Sequence, residues 1–366
     1  MKKVGILTFH NAHNWGASLQ LYALKTYLEN LGYEVKVINY RNKTIESNYL
    51  YNQKINVKVN SVKRVLKYIF LEVEKLYSDR QYKEKWKKFN EFINKMTDNA
   101  DEIKDIEKLS ELDVDYFICG SDQIWNYTLT NGLDGVYFCD FNTKAKKIAY
   151  AASMGVKSLP DEEEKKFRQY LQNFDYISVR EESLKEYAQK MTDKEIEKVL
   201  DPTLLLEREA YANIEKKVNL KKYLLLYTLI DDKRLTKISK YIAKKLGLEV
   251  VELRYKKSIT RIGKKQIANI GPEEFLGLID GADFVITNSF HGTVFSILFN
   301  KKFYTVPIKL VNSRIENLLR ITNLEKRCIR NIDEINIEDT INYEDVILKI
   351  KEEKNKSEEF LKKSLK

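Results

Sequence analysis

Short apolar runs that alternate with helical stretches constrain this chain more than any other feature. Val4 to Phe9 reads as a strand, and a polar loop from His10 to Gly16 follows it. Leu21, Leu24, Leu28 and Leu31 then recur at helical spacing until Gly32 stops the helix, and Tyr33 to Tyr40 alternates as a second strand. Strand-like runs return at Tyr116–Cys119, Ile148–Ser153 and Tyr176–Val179, with a helix at about Asp161–Phe174 between the last two. After Asp201-Pro202-Thr203 a second set begins, with strands at Tyr223–Leu229, Leu248–Tyr255, Phe284–Thr287 and Phe303–Pro307. Helices at Lys233–Leu246, Glu273–Asp280 and Ser289–Asn300 separate them, and Ser313 to Glu316 is a capping-box pattern that opens another. Alternation of this kind predicts an α/β protein with two doubly wound, Rossmann-like domains. Ligands then belong in the cleft at the carboxyl ends of the strands.

The 366 residues divide on this reading into a first domain over 1–203, a second over 204–325 and a C-terminal helical extension over 326–366. Within the extension, Tyr343–Lys366 is expected to be an amphipathic helix with a frayed tail. The first domain carries a basic insertion over 51–95, in which twelve basic residues face five acidic ones. The whole chain has 64 Lys and Arg against 54 Asp and Glu, so this segment holds seven of the ten excess charges. Two amphipathic helices would accommodate it, with Trp86, Phe89 and Phe92 on one face. The charge fits nucleic acid, an anionic membrane surface or an anionic substrate. No RNA-binding motif accompanies it, so nucleic acid is not the expected partner.

Three scattered cysteines (Cys119, Cys139 and Cys328) fit a reducing compartment and no disulfide scaffold. The N-terminus lacks the long apolar run of a secretory signal, and the run Phe284–Asn300 is too short and polar to span a bilayer. A cytoplasmic chain, with contact to the inner face of the plasma membrane as an option, is the expectation. Gly-x-Gly-x-x-Gly, a Walker loop and zinc-spaced Cys or His are all missing from the sequence, so neither a metal nor a bound cofactor is expected.

The chain has only three histidines, His10, His13 and His291, and each follows an apolar strand. His291 lies where a strand runs into a helix whose expected N-cap is Ser289, with Gly292 next. Unpaired backbone N–H groups and the helix dipole make such a turn an anion site. The dipole disfavours an imidazolium and a bound anion favours it, so a histidine there can move a proton. Lys309 and Arg314 follow downstream and can converge on the same anion. Arg180 leaves a strand where a carboxylate or phosphate contact would suit it, or else it pairs with Asp175 or Glu182. Gly120, Ser121, Asp122 and Trp125 stand after another strand. They read either as sugar contacts or as a capped turn with a buried tryptophan. His13 is similarly open between a ligand contact and a loop residue.

Taken in order, several stretches resemble the polysaccharide pyruvyl transferase family. They are Gly5 to Phe9 with His13 to Ala17, Ile118 to Asn126, Ala149 to Ser153, Ser178 to Ser183, Asp201 to Thr203, Ser289 to Gly292 and Asn312 to Ile315, spanning about residues 4–322. The resemblance implies a fold like the two-domain GT-B glycosyltransferases. It implies phosphoenolpyruvate as donor and co-substrate, and a cell-surface polysaccharide sugar, or its lipid-linked precursor, as acceptor. The product would be a pyruvate ketal, with phosphate released. By that similarity Arg180 and His291 match donor-holding, catalytic positions, and Lys309 matches a lysine after the next strand. His291 would act as general acid/base, with Arg180, Ser289, Gly292, Lys309 and Arg314 on the donor. His13, Asn14, Trp15, Ser121, Asp122 and Trp125 would face the acceptor, making the first domain the acceptor side and the second the donor side. Two departures stand out. Many members have Arg where this chain has Ser289, which leaves Arg314 to supply that contact, and some have an acid where it has Ala17. A GT-B-like glycosyltransferase using a nucleotide sugar, and a non-catalytic anion or nucleic-acid binder, are the alternatives. Oligomeric state is open.

Overall fold

The computed structural model describes residues 1–49, 62–261, 265–307 and 313–366. Its first half runs β1 (Lys3–Leu7), α1 (Trp15–Asn30), β2 (Glu34–Val37), α2 (Val62–Met96), β3 (Tyr116–Cys119), β4 (Lys146–Ala152), α3 (Asp161–Leu171), β5 (Tyr176–Val179), α4 (Glu182–Gln189) and β6 (Ile196–Lys198). Then come β7 (Tyr223–Tyr227), α5 (Lys233–Leu246), β8 (Glu249–Leu253), β9 (Lys265–Ile267), α6 (Pro272–Asp280), β10 (Phe284–Thr287), α7 (Phe290–Leu298), β11 (Phe303–Thr305), α8 (Ser313–Ile321) and α9 (Tyr343–Ser364). Short helical turns join several of these.

Two parallel sheets result, in the orders β2-β1-β3-β4-β5-β6 and β11-β10-β7-β8-β9. All four residues of β3 and all four of β10 are buried. Continuous apolar runs of this kind mark strands covered by helices on both faces. Strand order reverses beside β1 in one sheet, where Ile6 pairs with Ile118, and beside β7 in the other, where Thr287 pairs with Tyr227. Crevices open at such switch points, outside the carboxyl ends of the strands. The loops after β1, β3, β7 and β10 therefore meet between the domains. β6 and β9 were not legible in the sequence, being three-residue edge strands of mixed polarity.

The basic insertion corrects the expectation of two helices. From Val62 to Met96 it is one helix of 35 residues, about 50 Å long. The segment 62–96 contains neither Gly nor Pro to break it. Its second half buries Tyr82, Lys85, Phe89, Phe92 and Met96 along one stripe, while Trp86 stays half outside it. Lys88 reaches Glu274 at 2.8 Å and Glu84 accepts from Asn269 at 2.8 Å, so α2 ties the two domains together. Residues 51–61 of the expected insertion lie outside the described residues.

The C-terminal helix does not fray. α9 returns to the first domain, where Leu361 and Leu365 are buried and Tyr33 and Tyr116 donate to the Leu365 carbonyl at 3.1 and 2.8 Å. No helix among the described residues is long and apolar enough to cross a membrane.

Candidate active site

His291 is built by the end of β10. Ser289 caps α7, its Oγ accepting from Gly292 N at 3.2 Å, and Thr287 Oγ1 accepts from Ser289 N at 3.0 Å. Asn288 locks this turn to the loop after β7, accepting from Leu229 N at 2.8 Å and donating to the Ile230 carbonyl at 3.0 Å. Gly292 is required, because a β-carbon there would lie 2.9 Å from the Tyr227 ring and 2.5 Å from Thr287 Oγ1. His291 thus sits in the first turn of α7, at the positive end of its dipole. Its ring lies against Gly16 in the first turn of α1. A β-carbon on Gly16 would fall 2.8 Å from Cε1 of the imidazole and nearer still to Cγ and Nδ1. Two helix N-termini, one from each domain, therefore converge on one imidazole.

Gly16→Ala is expected to cost about 1–3 kcal/mol by overpacking and to shift the ring NMR resonances of His291. Wild-type stability in urea with unmoved resonances would show that the two helices do not meet this closely.

Beside the imidazole lies a buried group of charges. Arg180, just past β5, pairs with Asp201, and it lies 3.5 Å from Glu181 and 3.7 Å from Asp122. Arg314 of α8 lies 3.8 Å from Glu181. Both guanidiniums stand over the Phe290 ring, 4.9 and 5.9 Å from its centroid. Asp201 Oδ2 is 3.6 Å from His291 Nε2, while Oδ1 accepts from Thr203 N at 3.0 Å and Thr203 Oγ1 at 2.6 Å. Burial alone would raise the Asp201 pKa, but His291, Arg180 and the Thr203 hydroxyl reverse this and hold it well below the carboxylate range. Burial, and next the neighbouring Arg180 charge, lower the Arg314 pKa. Nε and Nη2 of Arg180 and Nε2 of His291 have no hydrogen-bond partner among the described residues. Arg180, Asp201, Phe290, Arg314 and Leu318 line a small cavity of about 20 Å³ here. No group of three or more potential ligands is placed to hold a metal ion among the described residues.

The structure thus brings Arg180, Ser289, His291, Gly292 and Arg314 together, and adds Asp122 to them. Lys309 lies outside the described residues. The expected acceptor set is not assembled. Trp125 is wholly buried in the first domain, stacked on Phe138 at 5.1 Å and donating to the Tyr137 carbonyl, so it presents no face to a sugar. Trp15 is likewise buried, stacked on Phe275 of the second domain and donating to the Ile270 carbonyl. Ser121 is enclosed, its hydroxyl donating to the Ala151 carbonyl at 2.8 Å. Asn14 caps α1, its Oδ1 accepting from Gly16 N and Ala17 N. His13 stacks on Phe89 at 5.2 Å, and burial followed by the Lys85 charge brings its pKa down to about 4. His10 is a satisfied core residue, its Nε2 3.0 Å from Asn39.

Sequence reasoning missed Asp201, Glu181 and Gly16 as members of the site. The signals were present, since Asp201 opens the Asp-Pro-Thr turn and Glu181 follows Arg180, but only the folded chain shows that Asp201 faces His291 and that Glu181 lies between Arg180 and Arg314. Lys85 was also missed, because it belongs to a Lys-rich stretch. It is fully buried, donating to the Tyr255 carbonyl at 2.7 Å under the Tyr255 ring.

Two parallel-sheet domains with the site in the cleft between them define a GT-B-like architecture. The chain belongs to the polysaccharide pyruvyl transferase family, whose family model matches residues 14–309. The family is one of transferases acting on polysaccharide. Solved structures share the fold. UDP-GlcNAc 2-epimerase from Neisseria meningitidis bound to UDP-GlcNAc is 10% identical, with 100% of this chain and 94% of that one covered at a TM-score of 0.51. UDP-GlcNAc 2-epimerase from Methanocaldococcus jannaschii is 14% identical, with 96% and 92% covered at a TM-score of 0.50. No curated protein matches the chain in sequence.

Proposed function

We propose that this protein transfers the pyruvyl group of phosphoenolpyruvate to two hydroxyls of one sugar in a cell-surface polysaccharide or its lipid-linked precursor. The observation that carries this reading is the pair of buried guanidiniums, Arg180 and Arg314, beside His291 at a helix N-terminus, with no hydrogen bond from Arg180 Nε or Nη2 among the described residues. Phosphoenolpyruvate brings a phosphate and a carboxylate, and a planar guanidinium can hold either in two-point fashion. Lys309 is the further cation of this reading.

In the reaction, His291 delivers a proton to the methylene carbon, which becomes the methyl group, and C2 becomes oxocarbenium-like. One sugar hydroxyl adds to C2 and loses its proton to the imidazole, restoring it. The second hydroxyl then displaces phosphate from C2, its proton leaving with the phosphate. Two C–O bonds form to the sugar, one C–O bond to phosphate breaks, and the product is a cyclic ketal. Nothing is oxidised or reduced, so no cofactor beyond the phosphoenolpyruvate co-substrate is needed. On this reading the reaction belongs in the cytoplasm.

Ligand-induced thermal stabilisation tests the donor. At a hundredfold excess over its dissociation constant, phosphoenolpyruvate is expected to stabilise the protein by about 2.7 kcal/mol, and phosphate release should follow when a glycan acceptor is added. Stabilisation by UDP- or GDP-sugars but not by phosphoenolpyruvate would overturn the reading in favour of a glycosyltransferase.

A further inference from the structure

The second half of α2 is packed between the domains, but its first half is exposed and apolar. Leu66, Ile69, Phe70, Val73, Leu76 and Tyr77 follow one another at intervals of three, one, three, three and one residues, which places them on a single face. Leu66 is 61% exposed, Ile69 51% and Leu76 76%. Of the 18 large hydrophobic residues exposed among the described ones, nine lie on this helix. Monomeric proteins rarely leave so contiguous an apolar patch in water.

Charge decides between the candidate occupants. The helix carries ten basic residues against five acidic ones. Lys63, Arg64 and Lys67 stand at its start, and Arg80, Lys83 and Lys87 follow the apolar face along the axis. Lys83, Arg80 and Lys87 pair one turn away with Asp79, Glu84 and Glu91 at 2.8, 3.2 and 3.7 Å, and Glu74 accepts from Ser258 at 2.6 Å, so the excess positive charge of the apolar half rests on Lys63, Arg64, Lys67 and Lys75. A second copy of so basic a helix would be repelled, whereas an apolar face set between basic residues matches a bilayer that exposes anionic headgroups.

We propose that the first half of α2 is an interfacial helix that docks the protein on an anionic bilayer, with Leu66, Ile69, Phe70, Val73 and Leu76 entering the acyl boundary and the flanking Lys and Arg on the headgroups. Glu74 of this segment lines a cavity with Thr228, Leu229, Arg254 and Lys256, at the carboxyl ends of β7 and β8. The docked helix therefore brings the membrane to the edge of the second sheet that also carries His291. The docking surface is independent of which donor the site takes.

Sedimentation of the full chain with phosphatidylcholine vesicles, with and without phosphatidylglycerol, tests this. Binding is expected only with phosphatidylglycerol and should weaken as salt is raised. A variant carrying Leu66→Glu, Ile69→Glu and Leu76→Glu, three exposed sites, should keep the wild-type melting temperature and lose binding by at least about tenfold. Lys67→Gln with Lys75→Gln should weaken binding to the anionic vesicles. Equal binding to phosphatidylcholine alone, or undiminished binding by the triple-Glu variant, would overturn the proposal. So would a wild-type dimer that ignores vesicles and that the triple-Glu variant splits into monomers.

Discussion

Replacing His291 with alanine is expected to slow phosphate release from phosphoenolpyruvate by about 10²–10⁴-fold. The argument rests on where the ring is held. Gly16 presses on one side of it, Asp201 stands 3.6 Å from Nε2, and the N-terminus of α7 lies beneath. No other histidine is available, because His10 is satisfied in the core and His13 stacks on Phe89. Loss of a proton-transfer group lowers kcat with little change in the KM for donor, whereas loss of a binding group raises KM. A His291→Gln variant, which keeps polarity and bulk, should be as slow as His291→Ala if the proton matters. Turnover near the wild-type value in either variant would sink the assignment.

Asp201→Ala is expected to cost about 3–5 kcal/mol of stability, because it strands the buried Arg180 charge without its main partner. The same substitution should change the response to acid. The Asp201 carboxyl is held well below its ordinary pKa of 3.8 in the folded protein. Its contribution is therefore complete above that value and is lost as pH falls toward the folded one. Asp201→Ala should be destabilised at neutral pH and show a shallower further loss in acid than the wild type. Urea denaturation at neutral pH and at pH near 3 would measure both. A loss below about 1 kcal/mol, the range of exposed ion pairs, would mean that Asp201 does not neutralise Arg180.

Much of the fold was legible because both faces of each sheet are covered. Tyr116–Cys119 and Phe284–Thr287 are apolar without interruption, which leaves little choice but a buried parallel strand. The N-cap at Ser289 and the proline at the start of α6 were readable for a different reason, since each is a local backbone device. Of the expected site residues among the described ones, the sequence allowed only Arg180, Ser289, His291, Gly292 and Arg314 to be grouped as the structure groups them. Arg180, Arg314 and His291 are residue types that a burial requirement rarely explains, so their placement after strands carried meaning. Trp15 and Trp125 are different. A tryptophan after a strand can stack on a sugar or fill a core, and only the neighbours Phe275 and Phe138, distant in sequence, decide it. Asp201 and Gly16 escaped for a related reason, because what makes them matter is a partner in another domain. The long helix was misread because its two halves have different surroundings, and a helix with no Gly or Pro in it gives no mark where packing ends.

The path of α9 has a consequence for how such chains can be rearranged. Phe360 lies 6.2 Å from Tyr150, Ser357 Oγ accepts from Leu200 N at 2.9 Å, and Glu353 reaches Lys198 at 3.6 Å. The first half of the protein is thus a discontinuous unit, completed by a stretch that follows the second sheet in the chain. A chimera joined once near residue 203 would pair one parent's sheet with the other parent's closing helix. Exchange of halves between relatives works as a cassette only if both pieces travel together, so shuffling in this architecture needs two crossovers rather than one.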